Sequence, residues 1–360
     1  MSGAAIEADV LQHVSGMRRR AFLIILLLAL LSILLFFIAI VIGAVPIAPA
    51  RVLAILLKAS GFQGVESRAS DANVILNIRL PRVALGFEVG AALAVSGALM
   101  QGLFRNPLAD PGLIGVSSGA GLAAAAAIVL GGKLAPNVAS GFALLPVGAF
   151  LGGLIATLLI YAISTRDGRT SMATMLLAGV GVGAFCGALT GLLAYWSNDQ
   201  QLRDLTFWSL GSLNGANWSK TMMIAPIVLP LAVLTSFLGR SLNALALGEA
   251  EAYHLGVRVQ LVKSLTIGLV ALAVGLSVAS AGVISFIGIV APHAIRLLVG
   301  PDNRLLLPLA ALLGGALLIG ADLLARTLVA PAELPLGVIT SAIGAPFFLW
   351  LLLTRSRGLL

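Results

Sequence analysis

One cysteine, Cys186, is present in 360 residues, and it falls inside an apolar run. A single thiol rules out an internal disulfide framework and a Cys-rich metal centre, which leaves Cys186 as a small buried hydrophobe. Histidine is nearly as scarce, with three residues: His13 in the polar N-terminal tail, His254 in a charged loop, and His293 in an Ala-Pro-His run. No HxxxH spacing or mixed His/Cys/carboxylate cluster occurs, so no metal site is expected within one chain. Charge is sparse as well. Only 10% of residues are charged, against about a quarter in an ordinary soluble domain. The net charge of +8 is scattered over loops and helix ends. It forms no basic stripe that could track phosphates, so no nucleic-acid partner is expected. Sustained period-two alternation is missing, which argues against an outer-membrane barrel. A phosphate-binding GxxxxGK[ST] loop is missing too. Gly131-Gly132-Lys133-Leu134 lacks the first glycine and the hydroxyl residue, so no ATPase is encoded here. Without a cluster of catalytic polar residues, no enzyme is expected.

Apolar sequence is what the chain has in quantity. Hydrophobic residues make up 59% of it, room for about ten spans of roughly 20 residues each. The runs are Ala21–Val45, 82–104, 113–131, 142–164, 174–196, 220–239, 262–281, 284–299, 305–325 and 336–354. The expected fold is therefore all-α, a polytopic transmembrane helical bundle surrounded by lipid and forming one domain over residues 1–360. Arg18, Arg19 and Arg20 precede the first run, which is too long for the ~7–15-residue apolar core of a signal peptide. It reads as a retained first helix with its N-terminus in the cytoplasm. An even number of spans returns the C-terminus, with Arg355 and Arg357, to the same side. Lysine and arginine elsewhere favour this threading modestly, and the external arginines call for a second explanation.

Gly90–Ala120, GAALAVSGALMQGLFRNPLADPGLIGVSSGA, places two glycine- and alanine-rich runs around a polar turn. Small residues let helix backbones approach closely in a bilayer, and Asn106-Pro107 followed by Asp110-Pro111-Gly112 turns the chain. This phrase resembles the permease subunits of bacterial ABC importers for iron-siderophores, haem and cobalamin, and the similarity continues almost to the C-terminus. The resemblance implies a cobalamin-permease (type II importer) fold with inverted repeats in spans two to five and seven to ten. It implies a homodimer in the bacterial inner membrane, with two ATP-binding subunits that hold ATP and Mg inside and one periplasmic binding protein outside. No cofactor is expected to be held permanently.

Four groups of residues follow. Leu242–Val257, LNALALGEAEAYHLGV, fits two short helical pieces, one before Gly248 and one over Glu249–Leu255, with Gly256 as a stop. The resemblance makes residues 242–257 a cytoplasmic coupling loop seated on the ATPase, through Leu245, Gly248, Glu249, Glu251, His254 and Gly256; the alternative is a solvated connection. Arg79 and Arg82, in the IRLPR run, and Arg326 match arginines that engage acidic residues of the binding protein. Interfacial anchoring or internal pairing, such as Arg326 with Asp322, is the other reading. Asn106, Leu108, Met172 and Ala173 match positions of a cytoplasmic gate, and Asn106 also suits an Asx turn. Glu88, an ionisable group inside the second span, has no shared family role and stays outside these groups.

The segment from Arg166 to Trp218 is closer to haem-importing members than to the others. Phe207 and Trp208 could present flat apolar surface to a planar macrocycle at a substrate entrance, and Arg203 could meet a propionate; interfacial anchoring is the plainer role for the aromatics. The expected cargo is haem, delivered by a periplasmic haem-binding protein, with a ferric siderophore or cobalamin as the alternative. An ion-coupled secondary transporter would need polar groups at the bilayer midplane, and few occur here.

Overall fold

The structure, a computed structural model, describes residues 3–43, 45–62, 68–134 and 144–356. Residues 142 and 143 of the fourth apolar run, and Arg357, lie outside them. Helix α1 (Gly3–Val41) is followed by α2 (Pro49–Ala59), α3 (Ala69–Asn73), α4 (Leu80–Leu103), α5 (Val116–Leu134), α6 (Leu144–Ser164), α7 (Met172–Trp196) and α8 (Asp199–Ser209). Then come α9 (Trp218–Leu247), α10 (Glu249–His254), α11 (Val259–Ala281), α12 (Ile287–Val299), α13 (Asn303–Thr327) and α14 (Leu336–Ser356). Helices thus stand at all ten expected positions. Among the described residues, six are long and apolar enough to cross a membrane, and shorter apolar helices run over Val116–Gly132, Ile287–Val299 and Leu336–Leu351. The result is an all-α, multi-pass membrane bundle.

Helix α4 is the axis of this bundle. It packs against α9, α11, α12 and α13 and is buried along most of its length, from Val83 to Leu103. Its small residues make that possible. A side chain on Gly97 would overlap the Gly288 carbonyl at the start of α12, and one on Gly90 would overlap Gly314 of α13. In hydrocarbon, where lipid is as apolar as leucine, such close backbone contact is what favours helix against helix. Gly119 of α5 and Gly152 of α6 repeat the arrangement in a second pair.

Several expectations change. The polar stretch before Arg18 is helical, since α1 begins at Gly3; Ala, Glu and Leu there are good helix formers. Arg79 and Arg82 do not sit at an open helix end. A π-helical segment, Val74–Arg79, joins α3 to α4, so the chain is helical from Ala69 through Pro81. Pro81 has no N–H to give the preceding turn, and a widened turn just upstream accommodates its ring. The piece before Gly248 is the last part of α9 rather than a separate helix, because Leu242 and Leu245 remain buried in the main core. Met172 is preceded by a small hairpin, Thr165–Arg166 paired with Arg169–Thr170. Its Asp167-Gly168 turn has φ of 50° and 71°, the paired positive angles of a type I′ turn.

Candidate functional site

At one end of the bundle, α10 is a single charged helix between two glycines. Gly248 adopts φ 144° and Gly256 φ 82°. The Val257 N–H donates to the Ala252 carbonyl and the Gly256 N–H to that of Tyr253, the Schellman closure that ends a helix at a left-handed glycine. Leu245 and Ala252 anchor the segment in the core. Leu247, Tyr253 and Leu255 are exposed, as are Glu251 and His254, so this segment presents an exposed surface of mixed polar and apolar character.

Glu249 faces the other way. Its Oε2 lies 2.7 Å from Lys263 Nζ, and its Oε1 lies 3.9 Å from Arg105 Nη2. Lys263 is buried near the start of α11, and its ammonium also donates to the Thr170 carbonyl at 2.8 Å. Gln260, one turn earlier, accepts from the Thr170 N–H at 3.1 Å. One lysine therefore ties α10 to the hairpin that leads into α7. Glu249 is 47% exposed, so the pair falls between an exposed one, worth up to ~1 kcal/mol, and a buried one, whose breakage costs about 3–5 kcal/mol.

The gate candidates flank this network. Asn106 forms an Asx turn, its Oδ1 accepting from the Leu108 N–H at 3.0 Å, next to Arg105 at φ 49°. Ser171 caps α7 by accepting from the Thr174 N–H at 3.2 Å. Met172 and Leu108 are half-buried, and Ala173 is exposed.

At the opposite end the three arginines converge, and all of them are engaged internally. Arg79 is 5% exposed. It donates to the carbonyls of Ile40 and Val41 at 2.8 and 2.7 Å and to that of Val45, closing the C-terminus of α1 where backbone acceptors are free. Arg326 donates to the Ala39 and Ile42 carbonyls and lies 3.3 Å from Asp322. Arg82 bridges Asp322 at 2.8 Å and Glu333 at 2.9 Å. The Asp322 side chain is 3% exposed, whereas that of Glu333 is 36% exposed. Hydrogen bonding from Arg82 holds the Glu333 carboxyl below its ordinary value. This pair therefore stabilises the loop fully above the ordinary carboxyl range and is lost as pH falls through the lowered value. Replacing Arg82 with methionine strands most of a buried carboxylate. A loss of about 3 kcal/mol in stability is expected, read as a lower melting temperature in detergent, and an unchanged melting temperature would contradict the pairing.

Beside this cluster lies a cavity of about 1060 Å³, at the upper end of the ~300–1,000 Å³ range of small-molecule sites. Phe207 and Trp208 line it, at the end of α8. Arg203 does not. Its guanidinium donates to Gln200 at 3.0 Å on the exposed side of α8, held back toward the preceding turn although Arg203 and Phe207 are spaced i,i+4. The cation in the lining is Lys220, which the sequence reading passed over. A smaller cavity of about 370 Å³ shares Phe207, Ser212 and Asn214 and reaches Glu333, so the cavity and the arginine cluster adjoin. His293 is buried and meets the Phe347 ring edge-on at 6.1 Å. Glu88 Oε2 is buried with no hydrogen-bond partner among the described residues.

Comparison with known proteins bears on this arrangement. Residues 29–354 match the FecCD transport family. The hemin transport system permease HmuU of Yersinia pestis is 51% identical over 283 residues, covering 79% of this chain and 84% of that protein. The cobalamin import permease BtuC of Halobacterium salinarum is 44% identical over 282 residues, 78% and 74% of the two chains. A solved ABC transporter in an inward-facing conformation, provisionally typed as metal-chelate, superposes with a TM-score of 0.77 at 31% identity, covering 91% of this chain and 97% of that one. PsaBC of Streptococcus pneumoniae, at 17% identity and a TM-score of 0.54 over 77% and 92% of the chains, shares the fold.

Proposed function

The chain belongs to the FecCD transport family, as a membrane permease of an ABC importer for metal-chelate-type substrates, and we propose that its cargo is haem. The observation that carries this reading is the 51% identity to a hemin permease, and a Phe207–Trp208 cavity of macrocycle size supports it. The bundle crosses the inner membrane ten times with both termini in the cytoplasm. Two copies associate, and the exposed Gly187 and Gly191 of α7, with open space above each, form a GxxxG spacing suited to close helix approach. Two ATP-binding subunits, holding ATP and Mg, seat on residues 242–257 at the Glu249–Lys263 end. A periplasmic haem-binding protein docks at the arginine end.

Alternating access follows from how the ends are joined. ATPase closure moves α10, and through Glu249, Lys263 and Thr170 the movement reaches Met172 and Ala173 at the head of α7. Arg105 takes it to Asn106 and Leu108. Of the three arginines, Arg82 is the one placed to exchange a partner, since Glu333 lies on an exposed loop and can yield to an acidic residue of the binding protein. Arg79 and Arg326 hold the surface in shape. Docking should therefore weaken with salt, and Arg82→Glu should slow association more than it changes dissociation.

The test is ATPase stimulation. The reconstituted permease–ATPase complex should hydrolyse ATP faster with a haem-loaded binding protein than with one carrying cobalamin or a ferric siderophore. Stimulation by cobalamin or siderophore alone would replace the cargo and leave the importer assignment standing.

A further inference from the structure

We propose that the cavity under Phe207 and Trp208 is a holding site in each protomer for an apolar molecule bearing a carboxylate, with Lys220 and Ser280 as the anchors of that group. The inference rests on the haem reading for its occupant and on this chain's own residues for its chemistry. Among the described residues, Lys220 is the single charged one in the lining. Its ammonium lies beside the loop at Gly215, 3.9 Å from where a side chain there would begin, and it forms no ion pair with a carboxylate among the described residues. The first turn of α9 fixes its backbone, because Asn217 caps the helix by accepting from the Lys220 N–H at 3.0 Å.

Ser280 supplies the second, independent observation. It lies in the same lining and is 7% exposed, yet its hydroxyl oxygen, buried beneath the cavity surface, has no hydrogen-bond partner among the described residues. Serine in a helix ordinarily returns its hydroxyl to the preceding turn, as Ser277 does to the Ala273 carbonyl at 2.7 Å. A buried hydroxyl left without a partner is costly, and a rotation about χ1 toward the cavity would let an incoming carboxylate oxygen satisfy it. An ammonium, a serine hydroxyl and two aromatic side chains in one lining select an anionic group on a flat apolar body. A propionate-bearing tetrapyrrole has that shape, and so does a fatty acid or anionic lipid with its chain folded in.

The site also connects to the transport cycle. Ser280 and Lys263 stand near opposite ends of α11, about 26 Å apart along one helix at 1.5 Å per residue. Filling the cavity therefore touches the same rigid element that holds the Glu249 and Thr170 contacts.

The experiment uses the full-length permease in nanodiscs of purely zwitterionic lipid, titrated with protoporphyrin IX, its dimethyl ester and oleate, following porphyrin fluorescence and competition. The expected result is that the free acid binds, that Lys220→Met weakens it about tenfold or more, that Lys220→Arg retains it, and that Ser280→Ala weakens it less. The dimethyl ester should bind weakly to wild type and Lys220→Met alike. If oleate displaces the porphyrin in a Lys220-dependent way, the carboxylate anchor stands and both sources share it. If oleate binds through Lys220 and the porphyrin does not, the tetrapyrrole occupant is overturned. Equal binding of acid and ester, or no effect of Lys220→Met on a protein whose melting temperature is unchanged, overturns the site itself. ATP-driven haem uptake unaltered by Lys220→Met would remove this inference and leave the cargo reading intact. Lys220-dependent porphyrin binding without any haem uptake would do the reverse.

Discussion

Lys263→Met should leave the permease assembled with its ATPase and lower ATP-driven uptake by about tenfold or more, within the ~5–150-fold range typical of coupling between two sites. Methionine keeps the length and apolar stem of lysine but removes the ammonium that Glu249 and the Thr170 carbonyl share. The surface around α10 that the proposal gives to the ATPase would stay intact, since Leu247, Tyr253 and Leu255 are exposed whereas Lys263 is buried. Hydrolysis should then continue with poor uptake, and Lys263→Arg should recover part of the loss. Measuring complex yield, hydrolysis and uptake on one preparation separates this from misfolding. Normal uptake by Lys263→Met would show that α10 reaches the gate segments by another route.

Gly97→Val should nearly abolish the folded protein. A branched side chain there meets the Gly288 backbone directly, and backbone cannot rotate away as a flexible side chain can. Overpacking a core costs about 1–3 kcal/mol where side chains can shift, and more is expected where two helices must separate. Gly268→Ala, in the spanning helix α11 with open space above it, is the control and should express normally. Size-exclusion profiles of the detergent-extracted variants give the result. A monodisperse Gly97→Val protein at wild-type yield would contradict the close α4–α12 contact.

The helices were legible because their signal is local: long apolar runs punctuated by Gly, Pro and charge. The helix over Glu249–His254 was legible for the same reason, with a left-handed stop at Gly256 and acids in its first turn. The turn at Asp167-Gly168 was visible as a hairpin signal but passed unremarked among loop residues. What could not be read locally is which cation meets which acceptor. Arg79 and Arg326 resemble docking residues in sequence, yet the carbonyls that occupy them lie at the end of another helix, and unsatisfied helix ends carry no sequence mark. Lys263 and Thr170 are far apart in the chain and touch only after α11 packs beside the hairpin. Arg203 drew notice by being near Phe207 in sequence, whereas Lys220, beyond a loop, is the cation that lines the aromatic cavity.

The central claim is that this permease moves haem by alternating access driven from the Glu249–Lys263 end. The measurement that tests it most directly is haem uptake into proteoliposomes containing the permease, its ATPase and its binding protein, with and without ATP inside the ATPase-facing compartment. The account requires haem to accumulate only with ATP, with little competition from cobalamin or ferric siderophores. Haem accumulation without ATP, or ATP-dependent accumulation of cobalamin or a siderophore in place of haem, would contradict it.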